Sequence, residues 1–289
     1  MVVLVTGANG QLGQSLQFIA KHYPEIDFVF CSSSDLDITN LESCQAVFFK
    51  IKPNYCINAA AYTAVDKAES ETEKAHLINV VGPENLAAVC KEFSIVLLHI
   101  STDFVFDGSK NIPYNETDIP NPTGVYGQTK LDGEKAIQAV FENYYIIRTS
   151  WVYSQFGNNF MKTMLRLASE RDSISVVNDQ IGTPTNAVDL AEALIKIIIF
   201  SSLSFGEGRG EAFGIYNFSN EGQCSWYDFA KEIFKINNIE IDLKPIPTSS
   251  FPTPAKRPKY SVLDKTKIKS TFGLEIKNWE LSLKRMNSI

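Results

Sequence analysis

The sequence predicts an α/β fold: a doubly wound parallel sheet with helices on both faces, and a smaller, partly interleaved C-terminal α/β domain. Short apolar runs alternate with helix-length amphipathic segments through the first half of the chain, which is typical of parallel strands joined by helical crossovers. Three of the predicted strands are almost continuously apolar, as expected when both faces of a sheet are covered. The alternation changes after about Trp151.

The first half contains five predicted strands, at residues 2–6, 27–31, 55–58, 95–100 and 144–148. Helices are predicted at residues 11–21, from a cap at Thr39 or Asn40 to about residue 51, at 72–93, and around residues 126–130. The third of these helices contains Gly82 and Pro83, which we expect to bend it.

The second half is predicted to hold helices at residues 159–171, 187–200, 226–236 and 279–286, with short strands at 174–177 and 215–218. A loop is predicted at residues 201–211, which are rich in serine and glycine. Residues 245–258 hold five prolines and are expected to be largely irregular.

Composition and charge narrow the class of protein. Hydrophobic residues make up 44% of the 289 residues and charged residues 21%, which is ordinary for a globular protein. The net charge of −6 argues against a nucleic-acid partner. The five cysteines match no metal-binding spacing and are typical of reduced core thiols. The longest apolar stretch is too short to span a membrane, and no signal peptide is evident, so we expect a cytoplasmic protein without a membrane partner.

A glycine-rich turn follows the first predicted strand and precedes a predicted helix. Its glycines are Gly7, Gly10 and Gly13. Glycines allow the backbone to approach a pyrophosphate closely, and a helix N-terminus offers free N–H groups to it. Strand, glycine turn and helix together predict a Rossmann-type dinucleotide site. We therefore assign residues 1–150 to a dinucleotide-binding domain, to which residues 178–200 return, and residues 151–289 mainly to a substrate-binding domain.

Tyr126 and Lys130 lie four residues apart in a predicted helix, so their side chains share one face. A lysine ammonium beside a phenol favours the phenolate, and we expect it to lower the pKa of Tyr126 towards the working range. Such a tyrosine can exchange a proton with a carbonyl or hydroxyl oxygen. The same spacing also occurs by chance in surface helices.

The residues that follow the predicted strands converge on one edge of the sheet, where ligands bind in parallel sheets. Ala59, Ala60 and Ala61 would let a flat cofactor lie against the backbone, or would serve a tight helix–strand contact. Thr102 can donate to the oxygen that Tyr126 would protonate. Asp103 could form a hydrogen bond with a sugar hydroxyl, or it could cap a loop. Trp151 could stack on the apolar face of a sugar, or it could fill the core.

The chain resembles the extended short-chain dehydrogenases/reductases and, among them, the dTDP-4-dehydrorhamnose reductase family. The most diagnostic stretches are Val65-Asp-Lys-Ala-Glu69, Arg148-Thr-Ser-Trp-Val-Tyr153 and Asn178-Asp-Gln-Ile-Gly-Thr-Pro-Thr185. The resemblance implies hydride transfer from NADPH or NADH to the 4-keto group of dTDP-4-dehydro-6-deoxy-L-mannose. The product would be dTDP-L-rhamnose, and the reaction would be the last step of its synthesis.

The resemblance also implies roles for individual residues. In the cofactor site, the pyrophosphate would be held by Gly10, Gln11 and Leu12. The adenine would be flanked by Asp37 and Ile38. The nicotinamide side would be lined by Ala61, Tyr62 and Thr63. Next to it, Tyr126 would donate the proton and Lys130 would hold the nicotinamide ribose. The sugar of the substrate would be contacted by Thr102, Asp103 and Trp151. Its diphosphate would face Arg257 and Lys256.

Several points stay open at the level of sequence. The second strand ends without a carboxylate, which favours NADPH over NADH, but no arginine stands nearby for the 2′-phosphate. The magnesium-linked homodimer of some relatives uses glutamates at the positions of Ser15 and Val188, which cannot ligate well, so we do not expect that metal site. The rival functions are a nucleotide-sugar epimerase and a regulatory subunit resembling the β-subunit of methionine adenosyltransferase.

Overall fold

The computed structural model describes residues 1–207 and 212–286. Its strands are β1 (Val2–Thr6), β2 (Asp27–Cys31), β3 (Tyr55–Asn58), β4 (Val96–Thr102), β5 (Tyr144–Thr149), β6 (Val152–Tyr153), β7 (Ser173–Val177), β8 (Ile181–Gly182), β9 (Thr185–Asn186), β10 (Gly214–Asn217), β11 (Cys224–Ser225) and β12 (Asp242–Ile246). Its α-helices are α1 (Gln11–Ala20), α2 (Leu41–Ile51), α3 (Val65–Ala68), α4 (Thr72–His76), α5 (Gly82–Phe93), α6 (Val125–Val140), α7 (Phe160–Glu170), α8 (Ala187–Glu207), α9 (Trp226–Ile236), α10 (Thr266–Phe272) and α11 (Trp279–Met286).

The main sheet runs in the order β10-β5-β4-β3-β1-β2, and its strand pairs are parallel. The chain moves outward from β1 in one direction to β2 and in the other to β3. Ligands of such sheets bind where the order reverses, at the carboxyl ends of the strands. The predicted doubly wound α/β fold is therefore confirmed.

Apolar side chains cover the sheet on both faces because successive residues of a strand point in opposite directions. Val3 and Val5 belong to the core cluster beneath α1 and α8, whereas Leu4 belongs to the cluster beneath α2 and α5. This two-sided burial explains the continuous apolar runs of the central strands.

The long helix predicted at residues 72–93 is interrupted by one π-helical segment, Leu77–Val81, between α4 and α5. Gly82 and Pro83, where a bend is predicted, directly follow this π-helical segment. A Cβ on Gly82 would lie 2.6 Å from Cδ1 of Ile38, so the Ile38 side chain packs directly on this glycine and would have to shift for any larger residue. π-Helical turns inside helices are frequent near functional sites.

Differences from the predictions lie mainly in the second half. The helix expected to stop at residue 200 continues to Glu207, so the loop predicted from residue 201 is wrong up to that point, and residues 208–211 lie outside the described part. Ser201 is only 3% exposed. Its burial shows that tertiary packing overrides the preference of serine for loops at this position. The first two residues of the proline-rich segment, Pro245 and Ile246, end the strand β12, which pairs with β7; apart from a 3₁₀ turn at Thr248–Ser250, the rest of this segment is irregular, as predicted.

The two halves of the chain are interleaved in the main sheet. β10 pairs with β5 at its edge, and α8 covers the face that α1 also covers. The second half has its own core as well, built from α7, α9 and α11 around Phe229 and Trp279. The boundary assigned at residue 150 stays a prediction. Within the described part of the chain, no helix combines the length and the apolar character needed to cross a bilayer.

Candidate active site

The glycine turn after β1 is packed so closely that side chains would not fit. Gly7 has φ +66°, and a Cβ there would lie 2.7 Å from the carbonyl oxygen of Ala59. A Cβ on Gly13 would lie 2.4 Å from the carbonyl oxygen of Gly7. Gly10 precedes α1 without a side-chain cap, which leaves the first N–H groups of this helix accessible to an anion.

A cleft of about 500 Å³ lies beside this turn at the carboxyl edge of the sheet. Its lining includes many of the predicted cofactor-binding residues: Gly7, Gly10, Asp37, Ile38, Ala59, Ala60 and Ala61. Leu12 and Gly13 are instead buried under the turn, and Tyr62 and Thr63 lie outside this lining. Ser32, Ser33 and Lys74 also line the cleft, although the sequence reasoning did not select them.

Gln11, predicted to touch the pyrophosphate, is bonded to the later part of the chain. Its side-chain N–H group donates to the carbonyl of Val152 at 3.3 Å. Its side-chain oxygen accepts from Ser154 at 3.1 Å and from Asn159 at 2.9 Å. The side chain therefore links the glycine turn to the start of α7, while its backbone stays in the first turn of α1.

Asn79, in the π-helical segment, fixes the loop that carries Tyr62. Its side chain accepts from the backbone N–H of Tyr62 at 2.9 Å and donates to the carbonyl of the same residue at 3.1 Å. It also donates to the hydroxyl of Thr129 on α6 at 3.2 Å. The loop expected at the nicotinamide side is thus tied to the helix of Tyr126.

Tyr126 lies at the start of α6, close to Thr102 and Asp103 at the end of β4. Burial raises the pKa of Tyr126 to about 12; a hydrogen bond with Thr102 opposes this rise and the Asp103 carboxyl adds to it. The expectation that Lys130 lowers the pKa of this phenol is therefore wrong for this structure, because loss of hydration outweighs other effects. The side chain is also packed edge-on against Phe104, with ring centroids 5.5 Å apart.

Lys130 is 1% exposed, and its amine makes two contacts on β4. It donates to the carbonyl of Ile100 at 2.7 Å, and it lies 3.3 Å from Nε2 of His99. Burial lowers the pKa of Lys130 to about 8, against the opposing charge of Glu134. Lys130 can therefore change its charge closer to neutral pH than an exposed lysine.

Glu134, one turn further along α6, belongs to a buried ion pair with Arg148 on β5. Nε of Arg148 donates to Oε1 of Glu134 at 2.9 Å, and Nη2 donates to Oε2 at 2.7 Å. The hydroxyl of Ser101 donates to the same carboxylate at 2.5 Å. These contacts fix α6 against the sheet and so position Tyr126 and Lys130.

Asp103 is 1% exposed and incompletely bonded. Its Oδ1 accepts from the Thr102 hydroxyl at 3.1 Å, whereas its Oδ2 is buried and makes no hydrogen bond of good geometry within the described part of the chain, although the Ser261 side chain is close enough to oppose the rise in the pKa of this carboxyl. Burial raises the pKa of this carboxyl to about 6. An unsatisfied oxygen beside Tyr126 is suited to a ligand hydroxyl, since buried polar atoms are normally paired.

A second cleft, of about 760 Å³, is lined by aromatic and polar side chains of the second half, including Phe160, Gln180, Trp226 and Arg257. Trp151, a predicted sugar contact, stacks on Trp226. The Trp226 side chain was not selected from the sequence, where nothing separates it from an ordinary core residue.

Arg257, predicted to face a diphosphate, is paired with Asp66 on α3. Its guanidinium donates to both carboxylate oxygens, at 3.0 and 2.7 Å. This pair holds the proline-rich segment against the first half of the chain. Lys256 is exposed to solvent beside it.

Comparisons with known proteins agree with this arrangement. The family model "RmlD substrate binding domain" matches residues 1–288. A dTDP-4-dehydrorhamnose reductase from Aggregatibacter actinomycetemcomitans is 43% identical over 99% of this chain and 98% of its own length. The crystal structure of a dTDP-4-dehydrorhamnose reductase from Clostridium acetobutylicum has a TM-score of 0.93 and 43% identity, covering 100% of this chain and 99% of that one.

A dTDP-4-dehydrorhamnose reductase from Bacillus anthracis, solved in complex with NADP, has a TM-score of 0.92 and 40% identity, covering 99% of this chain and 98% of that chain. The matches extend over both halves of the fold, including the glycine turn, the helix of Tyr126 and the second cleft. They confirm the resemblance predicted from the sequence motifs. The chain belongs to the dTDP-4-dehydrorhamnose reductase family.

Proposed function

We propose that this chain reduces the 4-keto group of dTDP-4-dehydro-6-deoxy-L-mannose to give dTDP-L-rhamnose, the last step of dTDP-rhamnose synthesis. The observation that carries the proposal is the meeting of Thr102 and Tyr126 at the carboxyl end of β4, on the same edge of the sheet as the glycine turn that follows β1. A proton donor at this edge suits reduction of a carbonyl group.

The residues around the first cleft fit a dinucleotide. A Cβ on Gly7 or Gly13 would fill the cradle, and the first N–H groups of α1 suit a pyrophosphate. We propose that Asp37 and Ile38 flank the adenine and that the backbone at Ala59–61 faces the nicotinamide side. When bound, the reduced nicotinamide supplies the hydride. The NADP complex of the Bacillus anthracis relative supports NADPH as one cofactor, and NADH stays open.

The protein's own groups would hold the sugar and provide the proton. Tyr126 donates its phenolic proton to the ketone oxygen, and the Thr102 hydroxyl forms a hydrogen bond to the same oxygen. Lys130, one turn along α6 and with a pKa lowered to about 8, is the group that would return a proton to the phenolate that remains. The unpartnered oxygen of Asp103 accepts from a sugar hydroxyl, which supports its role as a substrate contact.

The second cleft would receive the nucleotide part of the substrate. We propose that Trp151 contacts the sugar and that Arg257 faces the diphosphate. Arg257 lines this cleft while Asp66 holds its guanidinium by two hydrogen bonds, so its direction is set before any ligand binds. An arginine in a fixed orientation suits a phosphate oxygen.

An assay with purified protein tests the proposal. The ketone dTDP-4-keto-6-deoxy-L-lyxo-hexulose is mixed with NADPH or NADH, and the absorbance of the reduced nicotinamide is followed. We expect it to fall in proportion to dTDP-L-rhamnose formed. An epimerase would consume no net cofactor and a regulatory subunit would show no turnover; either result would contradict the proposal.

The cellular setting and assembly are further parts of the proposal. All five cysteines are free and buried, which supports a reducing compartment such as the cytoplasm. A homodimer stays open, and sedimentation analysis of the purified protein decides it. Ser15 donates to the carbonyl of Gln11 and Val188 is a buried aliphatic residue, so we do not propose that a dimer is linked through magnesium at these positions.

A further inference from the structure

A line of buried polar groups extends behind Lys130 across neighbouring strands of the sheet. The hydroxyl of Thr6 on β1 donates to Oδ1 of Asn58 on β3 at 2.7 Å. Nδ2 of Asn58 lies 3.0 Å from Nδ1 of His99 on β4, and Nε2 of His99 lies 3.3 Å from Nζ of Lys130. Asn58 and His99 are 0% exposed, and the proposed reaction gives neither of them a role.

The orientation of the Asn58 amide is fixed by its neighbours. Its Oδ1 accepts from the backbone N–H of Ala60 at 3.2 Å, in addition to the hydroxyl of Thr6. A backbone N–H can only donate, so the oxygen of the amide must face it. The amide N–H₂ group therefore faces His99 and donates to Nδ1.

This orientation selects one tautomer of His99. Burial and the neighbouring Lys130 hold the pKa of His99 well below its usual range, so the imidazole is neutral. Since Nδ1 accepts from Asn58, the single ring proton must be on Nε2. The Nε2–H group then points towards the amine of Lys130, whose own N–H group donates to Ile100.

An ammonium group contains only donors. In its charged form, Lys130 would therefore place an N–H group against the Nε2–H group of His99, with no acceptor between them. The uncharged amine has a lone pair that can accept from His99. We propose that Asn58 and His99 form a relay that presents an N–H to Lys130, and that His99 is thereby a positioning residue which makes the Lys130 ammonium release its proton more readily.

The other charged groups near Lys130 do not replace this effect. Glu134 favours the ammonium, but its carboxylate is already engaged by Arg148 and Ser101. Tyr126 and Asp103 lie beyond the end of β4. A lysine that releases its proton readily can return one to the Tyr126 phenolate after each reduction and be recharged from solvent. This kinetic consequence rests on the proposed function, whereas the tautomer of His99 does not.

Nuclear magnetic resonance of protein labelled with ¹⁵N in its imidazole rings tests the relay directly. The chain has three histidines, and His22 and His76 are exposed, so His99 is identified by the loss of its signals in His99→Gln. We expect His99 to stay neutral from mildly acidic to alkaline pH, with a proton on Nε2 and none on Nδ1. A proton on Nδ1, or titration with an ordinary histidine pKa, overturns the inference.

Asn58→Asp provides the kinetic test because a carboxylate accepts from Nδ1–H and so reverses the tautomer. Nε2 of His99 then offers a lone pair to Lys130, which favours the ammonium and raises the pKa of Lys130. The alkaline limb of the pH profile of kcat/KM should therefore move to higher pH by roughly one unit. His99→Leu removes the N–H without adding a charge and should move the limb in the same direction. A purely structural role would lower the rate equally at every pH.

Ile146→Val is the matched control, because Ile146 pairs with His99 in the β4–β5 register and has no polar side-chain atom. In this variant, the alkaline limb of the pH profile of kcat/KM should lie at the same pH as in the original protein. Unmoved limbs in both Asn58→Asp and His99→Leu would overturn the inference. If the original protein shows no turnover with the dTDP-sugar, the proposed function fails, and the spectra of His99 still decide the relay.

Discussion

Trp151 and Trp226 stack face to face, with ring centroids 3.5 Å apart and planes inclined by 11°. Trp151 adopts φ +45°, a left-handed conformation that a bulky side chain rarely takes. Its indole also packs against Gly182, where a Cβ would lie 2.6 Å from Cε2. The ring is therefore set by its backbone, its stacking partner and a glycine, and strain of this kind concentrates at ligand sites.

Gly182→Ala should displace the indole of Trp151, because the added methyl group would overlap it. We expect the KM for the dTDP-sugar to rise roughly tenfold, equivalent to about 1.4 kcal/mol, with a smaller change in kcat. Steady-state kinetics and tryptophan fluorescence measure the two effects. Ile181→Val, one residue earlier, serves as the control. An unchanged KM in Gly182→Ala would mean that the indole does not contact the sugar.

Tyr126→Phe removes the phenolic hydroxyl and leaves the ring against Phe104. Turnover should fall by about 10²–10⁴-fold, the usual contribution of a positioned acid. NADPH should still bind, as measured by fluorescence titration. Tyr260→Phe is a suitable control, since the Tyr260 hydroxyl donates to Gln223, away from Tyr126 and Thr102. Full activity in Tyr126→Phe would remove this residue from the reaction.

The doubly wound parallel sheet and the edge at which the candidate site lies could be predicted from the sequence. Both follow from local patterns: apolar runs, glycine spacing and helical period. The sequence also predicts that the helix of Tyr126 and Lys130 lies beside Thr102; in the structure Tyr126 is bonded to Thr102, and the Lys130 amine contacts His99 and Ile100 of the same strand. Local sequence preference and tertiary structure agree in these segments.

Features that depend on contacts distant in sequence were not predictable. Asn58 and His99 have ordinary local contexts, and their relationship exists only because β3 and β4 are neighbours. The high pKa of Tyr126 reflects burial, which spacing does not reveal. Likewise, β10 enters the main sheet from the second half because β5 offers it an edge. The α8 helix continues past residue 200, where Ser201 is buried although Ser202 and Leu203 are exposed.

Asp103→Asn should stabilise the fold while weakening catalysis. The pKa of Asp103 is raised from 3.8 to about 6, so the folded state binds this proton more tightly than the unfolded state. Stability therefore falls as pH rises through that window and stays lower above it. At neutral pH the variant should gain up to about 3 kcal/mol. Urea unfolding at several pH values measures this, and a gain independent of pH would contradict it.

Gly13→Ala should damage the glycine turn more than Gly10→Ala. The new Cβ would stand 2.4 Å from the Gly7 carbonyl oxygen in the first variant and 3.3 Å in the second. We expect Gly13→Ala to lose about 1–3 kcal/mol of stability and to bind NADPH more weakly. Thermal unfolding and fluorescence titration compare the pair. Equal losses in both variants would argue against close packing as the cause.

Gln11 is the first residue of the helix behind the glycine turn, and its side chain is bonded to Val152, Ser154 and Asn159. A motion that separated the two halves of the chain to release the product would have to break these hydrogen bonds or move the N-terminus of α1 with the second half. Departure of the sugar nucleotide and loosening of the grip on the pyrophosphate would then be mechanically linked through a single amide.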